Sequence, residues 1–203
     1  MFKFRDTRET FVGGVPAILN RISFSGELGY EIYVAPQFLL KLFEEIELHG
    51  KDLSLKLYGA RALMALRLEK NWGVWTLDFR PDFTAAESGL DAFINWNKDF
   101  IGKEASLIEK KQGVKKKLVT MTIDTKDIDV TNDEAILKNK KCVGYITSGG
   151  YAHHVKKSMA LGYVPIELSK HNTTLDVEIN GKLYLAHVTD QPLYDSNGGR
   201  MKN

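Results

Sequence analysis

Beyond Gly113 the chain becomes a succession of short β-patterned runs, at 118–123, 142–148, 159–164, 175–179 and 183–188, and this change of character constrains its fold more than any other feature. The last two runs are joined by Asn180-Gly181, the dipeptide that supplies positive φ at both centres of a two-residue hairpin. Several short strands at this spacing, punctuated by turn residues, predict a small barrel or sandwich.

The first half has a mixed pattern. Gly13-Gly14 separates two β-patterned runs and predicts an opening hairpin, and 30–34 reads as a further short strand. Pro36 suits a first helical turn, Phe38, Leu39, Leu42, Phe43 and Ile46 follow at helical spacing, and Gly50 suits the exit. A second helix is predicted over 60–69, with Leu63, Leu66 and neighbouring alanines inward, and a short one over 102–111. The expected fold class is α+β, a partial α/β region over 1–112 followed by a small carboxy-terminal β-barrel over 113–203.

With 203 residues, of which 43% are hydrophobic, the chain can bury a real core. Its 28 Lys+Arg against 26 Asp+Glu leave a net charge of +2, which gives no reason to expect nucleic acid or an anionic membrane surface. The β region also lacks the interleaved aromatic and basic residues of a single-strand-binding barrel. Cys142 is a single thiol, unable to form an internal disulfide and without a metal-ligand partner at ligand spacing, so no metal site is expected and a reducing compartment is favoured. The absence of a long apolar run or a signal-like start points to a cytoplasmic or matrix-like protein.

Two segments offer chemistry. In Gly26-Glu27-Leu28-Gly29-Tyr30-Glu31, two glycines and two carboxylates enter a strand where a planar ligand could approach the backbone closely. A carboxylate can accept in parallel from the ring N–H and exocyclic amino group of a 2-amino-4-oxo pterin, and Glu31, starting a strand, is better held than Glu27 in the turn. From spacing alone, the reading of both as ordinary surface carboxylates is the stronger one. Arg61, Arg67 and Glu69 lie on the second predicted helix, where an arginine among apolar neighbours needs an acceptor if buried, or sits on a solvated face. His153 and His154, adjacent in sequence, cannot face one site from a strand and are placed at a loop tip. Trp72, Trp75 and Trp96 are read as pocket walls or as packing, and the lysines at 115–117 and 138–141 as solvated charge.

The run Arg21-Ile22-Ser23-Phe24-Ser25-Gly26-Glu27-Leu28-Gly29-Tyr30-Glu31-Ile32, followed by Gly59-Ala60-Arg61-Ala62-Leu63-Met64-Ala65-Leu66-Arg67-Leu68-Glu69, resembles the glycine-cleavage T-protein (aminomethyltransferase) family. That family includes the folate regions of dimethylglycine and sarcosine dehydrogenases. Glu87-Ser88-Gly89-Leu90, Phe100-Ile101-Gly102-Lys103-Glu104-Ala105, Val143-Gly144-Tyr145-Ile146-Thr147-Ser148-Gly149 and Ala160-Leu161-Gly162-Tyr163-Val164-Pro165 continue the resemblance in order, over nearly the whole chain. Asp190-Gln191-Pro192-Leu193 is closer to the dehydrogenase branch.

The resemblance implies a tetrahydrofolate-dependent one-carbon transferase, with 5,10-methylenetetrahydrofolate as product, or a non-catalytic folate-binding module. It implies that Glu31 binds the pterin and that Arg61, Phe24 and Tyr30 belong to the same site. Phe24 stands where the family usually has Tyr, so any hydrogen bond from that position is lost while a ring can still stack. Leu77 before Asp78 and Thr84-Ala85 before Ala86-Glu87 also depart from the family. The family's catalytic aspartate lies in an amino-terminal portion with no counterpart in this sequence, so Asp6 is not assigned that role and no catalytic residue is named. Association with itself or with a partner subunit supplying that region is expected.

Overall fold

Gly13 and Gly14 take φ of 56° and 77°, the left-handed pair that turns strand β1 (Thr7–Val12) tightly into β2 (Val15–Asn20). The computed structural model describes residues 2–202 of the chain, which divide into two compact units, one of 1–67 with 195–203 and one of 68–194.

In the first unit, β3 (Glu31–Tyr33) adds antiparallel to β2, giving a three-stranded sheet of order β1-β2-β3. Alternation along β2 buries Val15 and Ala17 and leaves Pro16 and Ile18 outward. A 3-10 turn at Pro36–Phe38 leads into α1 (Leu39–Gly50), whose last residue lies so close to Leu55 that an added Cβ would stand 2.6 Å from Leu55 Cδ2. The apolar residues of α1 recur at helical spacing, as read from the sequence, but of the helix only Leu42 and Gly50 are buried. Leu39, Leu40, Leu48, Leu53 and Leu57 are 58–82% exposed. Burial in α2 (Ala60–Leu68) likewise does not follow an inward stripe at Leu63 and Leu66 but rises toward its carboxy-terminal end, where Arg67 and Leu68 are enclosed.

The closing segment belongs to this unit as well. Asp195 caps the short α4 (Gly199–Lys202), its carboxylate accepting from the backbone N–H of Gly199 at 2.9 Å. Met201 is buried, and its carbonyl accepts from the buried Arg21 Nη1 at 2.9 Å.

The second unit contains an irregular stretch, α3 (Lys103–Gln112) and six strands: β4 (Lys116–Ile123), β5 (Ala135–Lys138), β6 (Lys141–Ala152), β7 (Lys157–Pro165), β8 (Thr174–Ile179) and β9 (Lys182–Thr189). They close into a barrel in the order β4-β7-β6-β5-β8-β9, because β4 pairs with both β7 and β9. The α+β class and the carboxy-terminal barrel agree with the sequence reading. Strand β5 is an addition to it: four residues with no clear alternation, turned into β6 by Asn139 and Lys140 at φ of 52° and 62°. Gly144 is required by close approach, since a Cβ there would stand 1.9 Å from the carbonyl oxygen of Tyr163 on β7.

One buried carboxylate organises the irregular stretch. Asp78 has no exposed surface and accepts from the backbone N–H of Val74 at 2.9 Å, the Thr147 hydroxyl at 2.5 Å and the Ser148 hydroxyl at 2.6 Å. The Tyr163 hydroxyl donates to the Asp78 carbonyl at 2.9 Å and lies 2.8 Å from Ser88 Oγ, while its ring stacks on Phe83 at 3.4 Å. Burial pushes the Tyr163 hydroxyl above the ordinary phenol range, keeping it a donor. Replacing Asp78 with Ala removes the acceptor shared by Val74 N–H and the buried Thr147 and Ser148 hydroxyls, of which Thr147 keeps the Leu161 carbonyl as a partner, so urea denaturation of Asp78→Ala is expected to show a loss of about 3 kcal/mol, with Asp78→Asn losing less.

Candidate functional site

The register of the three-stranded sheet sets its outer face. Thr7 pairs with Asn20 and Asn20 with Glu31; Glu9 pairs with Ile18 and Ile18 with Tyr33; Phe11 pairs with Pro16. Directly paired residues share a face, so Glu31 and Tyr33 stand beside Asn20 and Ile18, and Phe11 and Pro16 continue the same surface. Phe11, Pro16, Ile18, Tyr33 and Ala35 border an open cleft of about 770 Å³.

Glu31 is partly buried, and its Oε2 accepts from the Tyr33 hydroxyl at 2.5 Å. The adjacent carboxylate pushes Tyr33 above the ordinary phenol value, so the hydroxyl remains protonated and donating through the physiological range. This leaves the second carboxylate oxygen, Oε1, for a ligand bearing N–H donors.

The loop preceding β3 is built by short-range contacts. Gly26 takes φ of 82°, Ser23 Oγ lies 3.1 Å from Ser25 Oγ, and a Cβ on Gly29 would come within 3.1 Å of the Ile22 carbonyl. Phe24 is partly buried in this loop. Tyr30 is exposed, packs against Phe2 at 5.7 Å and lies under the Arg21 guanidinium, 5.5 Å from its ring centroid. Arg61 is exposed in the first turn of α2. Glu27 is held more firmly than the sequence suggests, because Arg200 Nε donates to its Oε2 at 2.7 Å. Asp6 closes a local turn, accepting from the backbone N–H of Lys3, which holds its carboxyl below the usual range.

Sequence reasoning missed a second cluster. His154 lies in the β6–β7 turn, as expected, but it has an acidic partner 85 residues away. The buried Glu69 takes His154 Nδ1 and backbone N–H at 2.6 Å each, and the imidazole stacks on Tyr194 at 4.0 Å. No local spacing signals this pairing. The Lys138 ammonium, read as solvated, donates to the Thr174 carbonyl at 2.6 Å. Trp75 lies edge-on to Phe79, and Trp96 packs near Phe100 under Lys110. Among the described residues no helix is long and apolar enough to cross a membrane.

Residues 1–98 match the model of the GCVT N-terminal domain, and 116–195 match the glycine cleavage T-protein C-terminal barrel domain. The chain therefore belongs to the glycine-cleavage T-protein family. It is 39% identical over 195 residues to a mitochondrial dimethylglycine dehydrogenase of Homo sapiens, covering 95% of this chain and 22% of that protein. It is 34% identical over 188 residues to an aminomethyltransferase of Desulfitobacterium hafniense, covering 92% of this chain and 51% of the relative. The chain thus spans about half the length of such aminomethyltransferases and under a quarter of that dehydrogenase. The crystal structure of the glycine cleavage system aminomethyltransferase T from Bartonella henselae matches with a TM-score of 0.85 at 24% identity, over 96% of this chain and 53% of that one, a likeness of fold.

The Glu31–Tyr33 hydrogen bond can be checked without any ligand. In a pH titration followed by NMR of ring-labelled tyrosine, the Tyr33 resonance is expected to titrate above 10.0 and to move back toward it in Glu31→Gln.

Proposed function

We propose that this chain forms the folate-holding part of a tetrahydrofolate-dependent one-carbon transferase, acting in glycine cleavage or in sarcosine or dimethylglycine demethylation. The observation that carries the reading is Glu31, a partly buried carboxylate on an outward sheet face with one oxygen engaged by Tyr33. Its other oxygen suits the donor-rich edge of a 2-amino-4-oxo pterin. Phe24 and Tyr30 offer rings, and Arg61 a cation, for the same ligand. Bound tetrahydrofolate would supply the nitrogen nucleophile that accepts a methylene unit, giving 5,10-methylenetetrahydrofolate. The residues of this chain would bind and orient the pterin, and positioning of this kind contributes to rate without any general base. We assign no catalytic residue within this chain.

A second reading, a folate-binding or interaction module without its own catalysis, draws support from the exposed leucines of α1 and the segment after it, and from Phe11 at 72% exposure. Apolar surface of this extent in one unit favours association, either with a second copy or with a partner subunit carrying the remainder of the family's fold.

Calorimetric titration with 5-formyltetrahydrofolate tests the site. The wild-type chain is expected to bind, and Glu31→Ala to bind about 10- to 100-fold more weakly through loss of charge-assisted hydrogen bonds. Equal affinity would remove Glu31 from the site. In size-exclusion chromatography with light scattering, the chain is expected to elute as a species larger than 22.9 kDa; a clean monomer would remove the argument for association.

A further inference from the structure

Asn20 lies on the central strand of the three-stranded sheet, paired with Thr7 on one side and directly with Glu31 on the other. Residues so paired project from one face with Cβ atoms about 4.5–5.5 Å apart. Asparagine is disfavoured in strands, where Val, Ile or Thr fit the pleat better. A polar side chain at such a position is normally retained for a hydrogen bond within the protein, yet Asn20 Oδ1 is enclosed and accepts none. The fold therefore gains nothing evident from the amide. Of the amide, only the oxygen is enclosed without a partner, which leaves the NH2 as the end for a ligand.

We infer that Asn20 is a specificity-determining residue of the pterin site, donating its side-chain N–H to the 4-oxo oxygen of a 2-amino-4-oxo pteridine. This rests on the reading of Glu31 as the pterin ligand. Along the pyrimidine edge of such a ring, the 2-amino group and N3–H are donors and the 4-oxo oxygen is an acceptor. Glu31 can only accept, and Tyr33 already takes one of its oxygens, so it matches the donors and leaves the oxygen unread. The neighbouring amide on the same face provides the donor that completes the pattern. It also provides discrimination: a 2,4-diamino ring presents a donor at position 4, which would meet the amide N–H head on, and mismatched polar groups discriminate more strongly than lost apolar contact. Beyond this polar pair, Ile18, Phe11 and Pro16 continue the face as an apolar floor suited to the aromatic remainder of the ligand.

The test compares 5-formyltetrahydrofolate with its 2,4-diamino counterpart, in calorimetric titrations of the full chain, Asn20→Leu, Asn20→Asp and Glu31→Ala, alongside thermal melts. Wild type is expected to prefer the 4-oxo ligand. Asn20→Leu should lose about 3- to 10-fold of that preference, one neutral hydrogen bond, while melting at the same or a higher temperature. Asn20→Asp, an acceptor in place of the donor, should shift preference toward the diamino ligand. An unchanged ratio in both Asn20 variants overturns the inference, as does a lowered melting temperature in Asn20→Leu with the ratio intact in Asn20→Asp, which would make the residue structural. If Glu31→Ala weakens both ligands while the Asn20 variants leave their ratio untouched, only the role of Asn20 falls; if wild type binds neither ligand, both readings fall.

Discussion

The carboxylate of Asp78 is the constraint on which the second unit depends. A charge removed from water is tolerated only when donors surround it, and here they come from two directions: the backbone N–H of Val74 within its own loop, and the hydroxyls of Thr147 and Ser148 on β6. Consecutive strand residues normally point to opposite faces, so two neighbours should not reach one carboxylate. The register of β6 against β7 shifts between Ile146 and Ser148, leaving Thr147 as the extra residue. This bulge brings both hydroxyls to Asp78. Tyr163 then fixes the same turn from β7 through the Asp78 carbonyl, and Ser88 and Phe83 pack against that tyrosine. The stretch from Val74 to Ser88, which has no regular structure of its own, thus takes its shape from the barrel wall.

The first unit is built differently. Its sheet buries the inner alternation of β2 and leaves the outer face open, and α1 encloses little besides Leu42. Glu31 benefits from that openness: starting a short edge strand, it keeps one carboxylate oxygen engaged by Tyr33 and still faces outward. The terminal segment reinforces the approach to β3. Arg21, just before the glycine-containing loop, donates to the Met201 carbonyl, and Arg200 pairs with Glu27 inside the loop. Exposed ion pairs add little stability, but the enclosed Arg21 bond ties two segments 180 residues apart.

Most of the architecture was legible because its signals are local. Gly13-Gly14 and Asn180-Gly181 dictate hairpins by backbone conformation alone, and Pro36 and Gly50 mark the helix between them. Strand β5 escaped because its side chains do not alternate and its turn uses Asn139-Lys140, where only the asparagine favours positive φ. The inward stripe expected on α2 is the converse error: periodicity shows which face is apolar, not whether anything covers it. The Asp78 and Glu69 clusters were illegible in principle, since their partners lie 69 and 85 residues away and become neighbours only through barrel register.

The same distinction separates Glu31 from Asn20. Glu31 could be singled out because a carboxylate entering a strand after two glycines is a local pattern, and the ordered family motifs add weight to it. Asn20 carries no motif, and in sequence it reads as the polar end of a strand. Its interest arises only when the ladder places it opposite Glu31 and its oxygen is found enclosed without a donor. An acceptor-only carboxylate reads the N–H donors of a ring edge but not its carbonyl oxygen, whereas a carboxylate beside an amide can read both. Specificity in such a site therefore resides in the cross-strand pair, and a one-residue slip of β2 against β3 would abolish it by sending Asn20 to the opposite face.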